Sequence, residues 1–457
     1  AGEHFTPRAP VPDTESSSVA RSPRAPGEIG TIDLRWNNRV TGVMQTAGKV
    51  TLSVQCPNGE YALSCDWLIA CDGAGSPVRK LLGQKSEGQV FQDRFLIADV
   101  KMQGTSVAKF RTERWFWFDP PFHRNQSALL HKQADDVWRI DFQLGWQADP
   151  ELERQPERVL PRIRAMLGED VEFSLEWVSV YTFQCRRMER FVHDRVIFAG
   201  DSAHQVSPFG ARGANSGIQD VDNLGWKLDL ILRGLAPVAL LDSYDAERVQ
   251  AADENILNST RSTDFITPKS EISRIFRDAT LELAAKYPFA RRLVNSGRLS
   301  VPTHYADSPL STADAESWPT ATPGPGSPAF DAPILSGGKP GWLLHHLRGE
   351  FMVIVFASGG DTPAELVDAL RFLRSLPFAV GVVFVTRAGS SAGDDFTWLR
   401  DAEGLAFSRY APDGDAVYLF RPDQHIAARR RGLSATWLVE ALRRVCLTDI
   451  PFKTGIC

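Results

Sequence analysis

Two acidic turns, Gly200-Asp201 and Asp72-Gly73, carry residue types and spacings that could do chemistry. The first closes the apolar run Val196-Ile197-Phe198-Ala199, which is too short for a helix and suits a buried strand of a parallel sheet. Open α/β sheets bind ligands at the carboxyl ends of such strands, and a carboxylate there can accept hydrogen bonds from sugar or polyol hydroxyls. Pro208-Phe209-Gly210 and Gly213 follow in a loop whose glycines lack a Cβ and let backbone approach a flat ligand. From about Asn215 a helical pattern begins, and the unpaired N–H groups at its start favour negative charge. Ile218, Val221, Leu224 and Leu228 share one face of that helix, with Gln219, Asp220, Asn223 and Lys227 largely outside it. Spacing alone leaves open an ordinary strand–loop–helix crossover without a ligand.

The second turn follows Trp67-Leu68-Ile69-Ala70-Cys71, another short apolar strand. Gly73-x-Gly75 is a near miss for a dinucleotide fingerprint, because position 78 is Val where Gly or Ala is expected. A plain strand-to-helix turn with Pro77 in the first helical turn is the other reading.

Taken together, the two stretches resemble the signature motifs of the class A FAD-dependent aromatic monooxygenases. That family includes para-hydroxybenzoate hydroxylase, phenol hydroxylase and 3-(3-hydroxyphenyl)propionate hydroxylase-type enzymes. The match runs essentially without a gap from Arg195 to Leu228. In that family the Gly-Asp pair contacts the ribityl chain of FAD, the Pro-Phe-Gly loop lies by the isoalloxazine, and the next helix points at the pyrimidine edge. The resemblance carries these roles to Gly200 and Asp201, to Pro208 and Gly210, and to Gly213, Ala214 and Asn215. Asp72, Gly73 and Arg79 match the family's second motif, whose Asp and Arg help hold FAD and assist the encounter with the nicotinamide cofactor.

The resemblance implies FAD as cofactor, NADH or NADPH as electron donor and O₂ as co-substrate. A flavin C4a-hydroperoxide would hydroxylate a phenolic ring, with no metal or covalent nucleophile. Pro208, Gly210 and Asn215 would position the flavin, and no residue is assigned as acid or base. Two alternatives stand beside this reading. One is a remnant unable to hold FAD that serves as a binding or assembly protein; the other is a different flavin oxidoreductase or halogenase on the same scaffold.

The elements that must position these residues fall into α/β modules. Residues 31–90 and 185–260 read as a discontinuous, Rossmann-like FAD-binding domain, and 91–184 as an inserted β-rich substrate domain. A helical connection (261–307) and a Pro/Gly/Ser-rich linker (308–328) lead to a thioredoxin-like domain at 329–457. That domain lacks a CxxC, so its expected role is packing or homodimer contacts. Residues 1–30 are rich in Pro, Ser, Arg and Glu, match nothing in the family and read as disordered. No G-x-G-x-x-G unit precedes Asp72, so the FAD-binding domain reads as N-terminally incomplete and short of its main anion site.

In the inserted domain, strands are expected at Phe95–Lys101, Ala108–Phe118, Gln126–Lys132, Asp136–Leu144 and Phe173–Phe183. Trp117, Tyr181 and Arg187 are candidates for the substrate wall. His131 and Arg139 could meet a substrate carboxylate, or be plain exposed sheet residues. The formal net charge of -5 suggests neither a nucleic-acid nor a membrane partner. Six scattered cysteines without metal spacing suit reduced thiols in a cytoplasmic protein.

Overall fold

The computed structural model describes residues 32–104, 113–294, 301–359, 362–387, 395–434 and 437–448. The expected disordered tail and the beginning of the Ala108–Phe118 strand lie outside the described residues. Both acidic turns grow from one small sheet. Leu68–Ala70 and Val196–Phe198 run parallel, with Val196 opposite Leu68 and Phe198 opposite Ala70, and Val192–His193 pairs antiparallel on the far side. Val196, Ile197 and Phe198 are fully buried, as their run of apolar residues requires. An antiparallel meander, Arg39–Gln45, Val50–Cys56 and Gly59–Cys65, packs Val50, Leu52 and Val54 into the same core. Its pairing starts at Arg39, after Asn37 turns the chain with a φ of 58°.

The inserted domain is a six-stranded antiparallel sheet, ordered His204–Gln205, Phe173–Met188, Ser86–Met102, Val137–Leu144, Ala128–Lys132, Trp115–Trp117. Its side chains alternate between two faces. Leu96, Ala98, Trp138, Ile140 and Phe142 pack under the Pro156–Leu167 helix through Val159 and Ile163. Phe95, Phe116 and Phe183 face the other way and close on Phe209 of the glycine loop. The two long strands run past their expected ends, and the pairing of His204–Gln205 with Arg186–Arg187 stitches this sheet to the Gly-Asp turn.

The helix expected from Asn215 spans Gly213–Leu232, and its expected apolar face holds only in part: Leu224 and Leu228 enter the core, but the buried side is shared with polar residues. Asp220, Asn223 and Lys227 are buried at 0–2% exposure, whereas Ile218 and Val221 are 68% and 55% exposed. A neighbouring helix, Leu240–Ile266, supplies the partners. Glu247 accepts hydrogen bonds from Lys227 (2.9 Å), from Asn223 (2.8 Å) and from both terminal nitrogens of Arg421 (2.6 and 2.9 Å).

Arg421 belongs to the C-terminal unit, a seven-stranded mixed sheet. Its strands Phe351–Ala357 and Val380–Thr386 are parallel, and Ala416–Phe420 and Ile426–Arg431 form an antiparallel hairpin. Helices Ala364–Arg374 and Leu438–Cys446 cover one face and Leu405–Tyr410 the other. The 308–328 stretch has the composition of a linker but is tied down. Ser308 bonds Glu247, and Asp314 pairs with Arg429. At Gly326, a Cβ would lie 2.2 Å from the Tyr305 carbonyl oxygen.

Burial by itself would raise the Glu247 carboxyl, but Arg421 and Lys227 outweigh it and hold the group well below its usual range. Stability from this group is therefore present at neutral pH and is lost as pH falls through the acid range. Glu247→Gln leaves Lys227 and Arg421 short of their carboxylate, and should lower unfolding free energy by roughly 3–5 kcal/mol in urea melts at pH 7.

Candidate functional site

The two turns lie side by side because their strands do. Ala199 donates to the Ala70 carbonyl (3.1 Å), and Ser202 Oγ donates to the same oxygen (2.6 Å). Arg79 is buried and donates to the carbonyls of Ser202 and Ala74, each at 2.6 Å, one from each turn. Gln205 Nε2 bridges them again, to Ala74 (3.1 Å) and Asp201 (3.3 Å). The Asp72 carboxylate shapes its own loop: it accepts from Ser76 Oγ (2.6 Å) and from the Val78 amide (2.9 Å) at the start of the Pro77–Leu81 helix. Gly73 and Gly200 hold φ values of 79° and 64°, where a side chain would strain the turn.

A cavity of about 1100 Å³ opens in front of both turns, lined in part by Gly73, Gly200, Asp201, Ala214 and Gly217. The Asp201 carboxylate is exposed there and has no partner among the described residues. Gly217 brings the helix close to the turn; a Cβ on it would sit 3.4 Å from the Gly200 Cα. No side chain caps the Gly213–Leu232 helix, so its first amides, Gly213, Ala214 and Asn215, keep their positive end available. The Asn215 side chain turns back to the Ala211 carbonyl (2.6 Å), leaving its backbone as the group on offer.

Behind the turn sits a carboxylate that sequence reasoning placed off the buried face. Asp220 accepts from the Gly200 amide (2.8 Å), from His204 Nε2 (2.7 Å) and from Arg248 Nε (2.6 Å). Burial opposes its charge, but His204, Arg248 and the Gly200 amide prevail and lower its pKa. The signal available in the sequence was a helical stripe of Asp220, Asn223 and Lys227 at spacings of three and four.

Of the substrate-wall candidates, Tyr181 lies on the sheet face toward Phe209, opposite Phe95 and half exposed. Trp117 projects from the opposite face, against Phe122 (5.5 Å). Arg187 is bound by Asp253 through two hydrogen bonds of 2.5 and 2.9 Å. Arg139 is likewise held by Asp99 (2.8 Å twice) and is not free for a substrate carboxylate. Pro208 is exposed beside Phe209, which packs on Phe95 at 5.3 Å. Sequence reasoning passed over Asp141, two residues along from Arg139. Burial pushes its carboxyl up to about 6 against the opposing pull of Arg139.

These donors suit FAD. An unpartnered carboxylate for polyol hydroxyls, two side-chain-free turns and an uncapped helix start share one cleft, with an aromatic sheet face beyond Phe209. A family model described as an FAD binding domain matches residues 25–259. The chain belongs to the FAD-dependent class A monooxygenases. It is 30% identical over 443 residues to the 12-dehydrotetracycline 5-monooxygenase/anhydrotetracycline 6-monooxygenase of Streptomyces rimosus, covering 91% of this chain and 76% of that protein. It is 26% identical to the 3-(3-hydroxy-phenyl)propionate/3-hydroxycinnamic acid hydroxylase of Mycolicibacterium smegmatis, over 87% of this chain and 69% of that protein. The fold is similar to that of the flavin-dependent monooxygenase PieE, solved with FAD and substrate. That likeness has a TM-score of 0.71 at 23% identity, over 90% of this chain and 75% of PieE. FAD is the family's cofactor, and NAD(P)H its typical reductant. No helix among the described residues is long and apolar enough to cross a membrane.

A monooxygenase that keeps Asp141 ionised inside its fold gives up stability to do so. Because the folded-state value lies above the ordinary one, the cost is present above pH 6 and fades toward pH 4. Asp141→Asn should therefore unfold up to about 3 kcal/mol harder at pH 8, with the gain shrinking toward zero near pH 4, in urea melts at the two pH values.

Proposed function

We propose that this monooxygenase hydroxylates a phenolic ring, taking electrons from NADH or NADPH and one oxygen atom from O₂. The observation that carries the reading is the free Asp201 carboxylate in a cleft shared with the uncapped helix start. FAD, when bound, supplies the redox chemistry: it accepts a hydride from the nicotinamide and activates O₂ for transfer to the ring. The chain supplies grip and field. Asp201 accepts the ribityl hydroxyls, while Gly73 and Gly200 let backbone approach the cofactor. The amides of Gly213, Ala214 and Asn215 stabilise negative charge on the reduced pyrimidine edge. Pro208 and Gly210 would lie beside the ring, and Asp72, Arg79, Gln205 and Asp220 keep the turns in place.

A phenolic substrate is favoured by the face of Phe95, Phe116, Phe183 and Tyr181 across the cleft, and by relatives named for tetracyclines and hydroxyphenylpropionate. The C-terminal unit reads as thioredoxin-like. Support for this comes from its parallel β–α–β pair followed by an antiparallel hairpin and a helix. Its role is structural, since Arg421 of that hairpin reaches the Glu247 cluster. The five cysteines among the described residues are free thiols, in keeping with a reducing, cytoplasmic setting.

The test is reconstitution with FAD followed by oxidation of NADH and NADPH under air with a panel of phenols. The expected outcome is a yellow, one-to-one complex whose NAD(P)H consumption rises with phenol and yields a hydroxylated product by mass spectrometry. Asp201→Ala should weaken FAD binding about 10- to 100-fold through loss of charge-assisted hydrogen bonds. A colourless protein at saturating FAD would speak for a non-catalytic remnant. Phenol-independent oxidation without product would speak for another flavin oxidoreductase.

A further inference from the structure

The sheet face toward Phe209 is aromatic at its edges and polar at its centre. Register places Asp141 between Leu129 and Ile97, in a row that ends at Phe116. The next row toward Phe95 holds Gln143 and Tyr181, and the row beyond on the other side holds His131, Arg139, Asp99 and Trp177. Phe95 and Phe116 both touch the Phe209 ring, at 5.3 and 6.5 Å. Neighbouring strands lie about 4.8 Å apart, so Asp141 sits one strand from the Phe95 strand and two from Phe116, on the face that meets the loop expected to lie by the isoalloxazine.

Within this cluster the charges divide unequally. Arg139 and Asp99 satisfy each other through two hydrogen bonds of 2.8 Å, and the Arg139 guanidinium lies over Trp177 at 5.8 Å. Asp141 is left over. Its Oδ1 is enclosed and makes no hydrogen bond among the described residues, and the neighbouring His131 Nδ1 is enclosed and unbonded there too. Two such groups side by side are each costly, and natural folds keep few of them without a use. Arg139, Arg114 and Asp99 are the charges that act on both groups, and burial holds His131 below its ordinary pKa, in the neutral form.

We propose that Asp141, with His131 beside it, is the specificity determinant that accepts a hydrogen bond from a hydroxyl of the aromatic substrate and so sets which ring carbon faces the flavin. This rests on the phenol hydroxylase reading above and names the polar end of its substrate site. No proton needs to leave the substrate for this recognition: the carboxylate is an acceptor at neutral pH and becomes a weaker one once protonated below about 6.

The experiment uses FAD-loaded protein with 3-hydroxyphenylpropionate, a dihydroxynaphthalene and their methyl ethers as probes, in steady-state assays from pH 5 to 8. Wild type should show a KM for the phenols that rises as pH drops through 6. Asp141→Asn should raise that KM at least tenfold at pH 8, flatten its pH dependence and leave FAD stoichiometry at one. The methyl ethers, which cannot donate, should bind wild type and variant alike. His131→Gln should give a smaller increase, three- to tenfold. Wild-type KM values and pH profile in Asp141→Asn would overturn the inference and leave the hydroxylase reading standing. If no phenol stimulates the wild type, the hydroxylase reading fails first and this inference falls with it.

Discussion

The Asp220 carboxylate is enclosed between two helices and accepts hydrogen bonds of 2.6–2.8 Å from the Gly200 amide, His204 and Arg248. The rest of the site is hung from this contact. It sets the pitch of the Gly200-Asp201 turn, and with it the direction of the free carboxylate. Arg248 carries the contact onward to the Tyr305 hydroxyl (2.6 Å), whose ring stacks on His425 of the C-terminal unit at 4.7 Å. A few residues away, Arg421, Asp423, Glu247 and Lys227 form a second desolvated cluster. Buried ions of this kind add little net stability compared with apolar packing, yet they are intolerant of any missing partner. The three segments that meet there are thereby fixed in one arrangement, which a cofactor cleft needs more than it needs extra stability.

Against that rigid background, a few groups are left unsatisfied. Among the described residues, Asp201 lines the cavity with no protein partner, the helix at Gly213 has no side-chain cap, and Asp141 Oδ1 is enclosed without a hydrogen bond. Enclosure makes Asp141 costly in the isolated chain, and each of the three is the type of group that a ligand can complete. The Phe209 ring packs on Phe95, Phe116 and Phe183 of the aromatic sheet face.

Sequence reading reached the local motifs more readily than the interior. Val196–Phe198 and Gly200-Asp201 announce themselves because a short apolar run, a glycine and a carboxylate each have one economical use at a strand end. The pairing of the two turns was not visible, since Arg79 joins them through backbone carbonyls that no side-chain pattern records. The Gly213–Leu232 helix misled for a physical reason: hydrophobic periodicity assumes that charges seek water, whereas Asp220, Asn223 and Lys227 seek one another and Glu247. Trp117 could not be assigned to a face by type alone, because a one-residue change of register moves every side chain of a strand across the sheet. Asp141 escaped notice because a carboxylate in an alternating strand is ordinarily a solvent-facing residue.

The claim at the centre of this account is that the Gly-Asp turn and the uncapped helix hold one flavin between them. A crystal structure of the FAD-loaded chain tests it most directly. The account predicts ribityl hydroxyls within about 3 Å of the Asp201 carboxylate and the flavin's pyrimidine edge against the amides of Gly213–Asn215. A flavin seated elsewhere, with Asp201 still free in solvent, would contradict it.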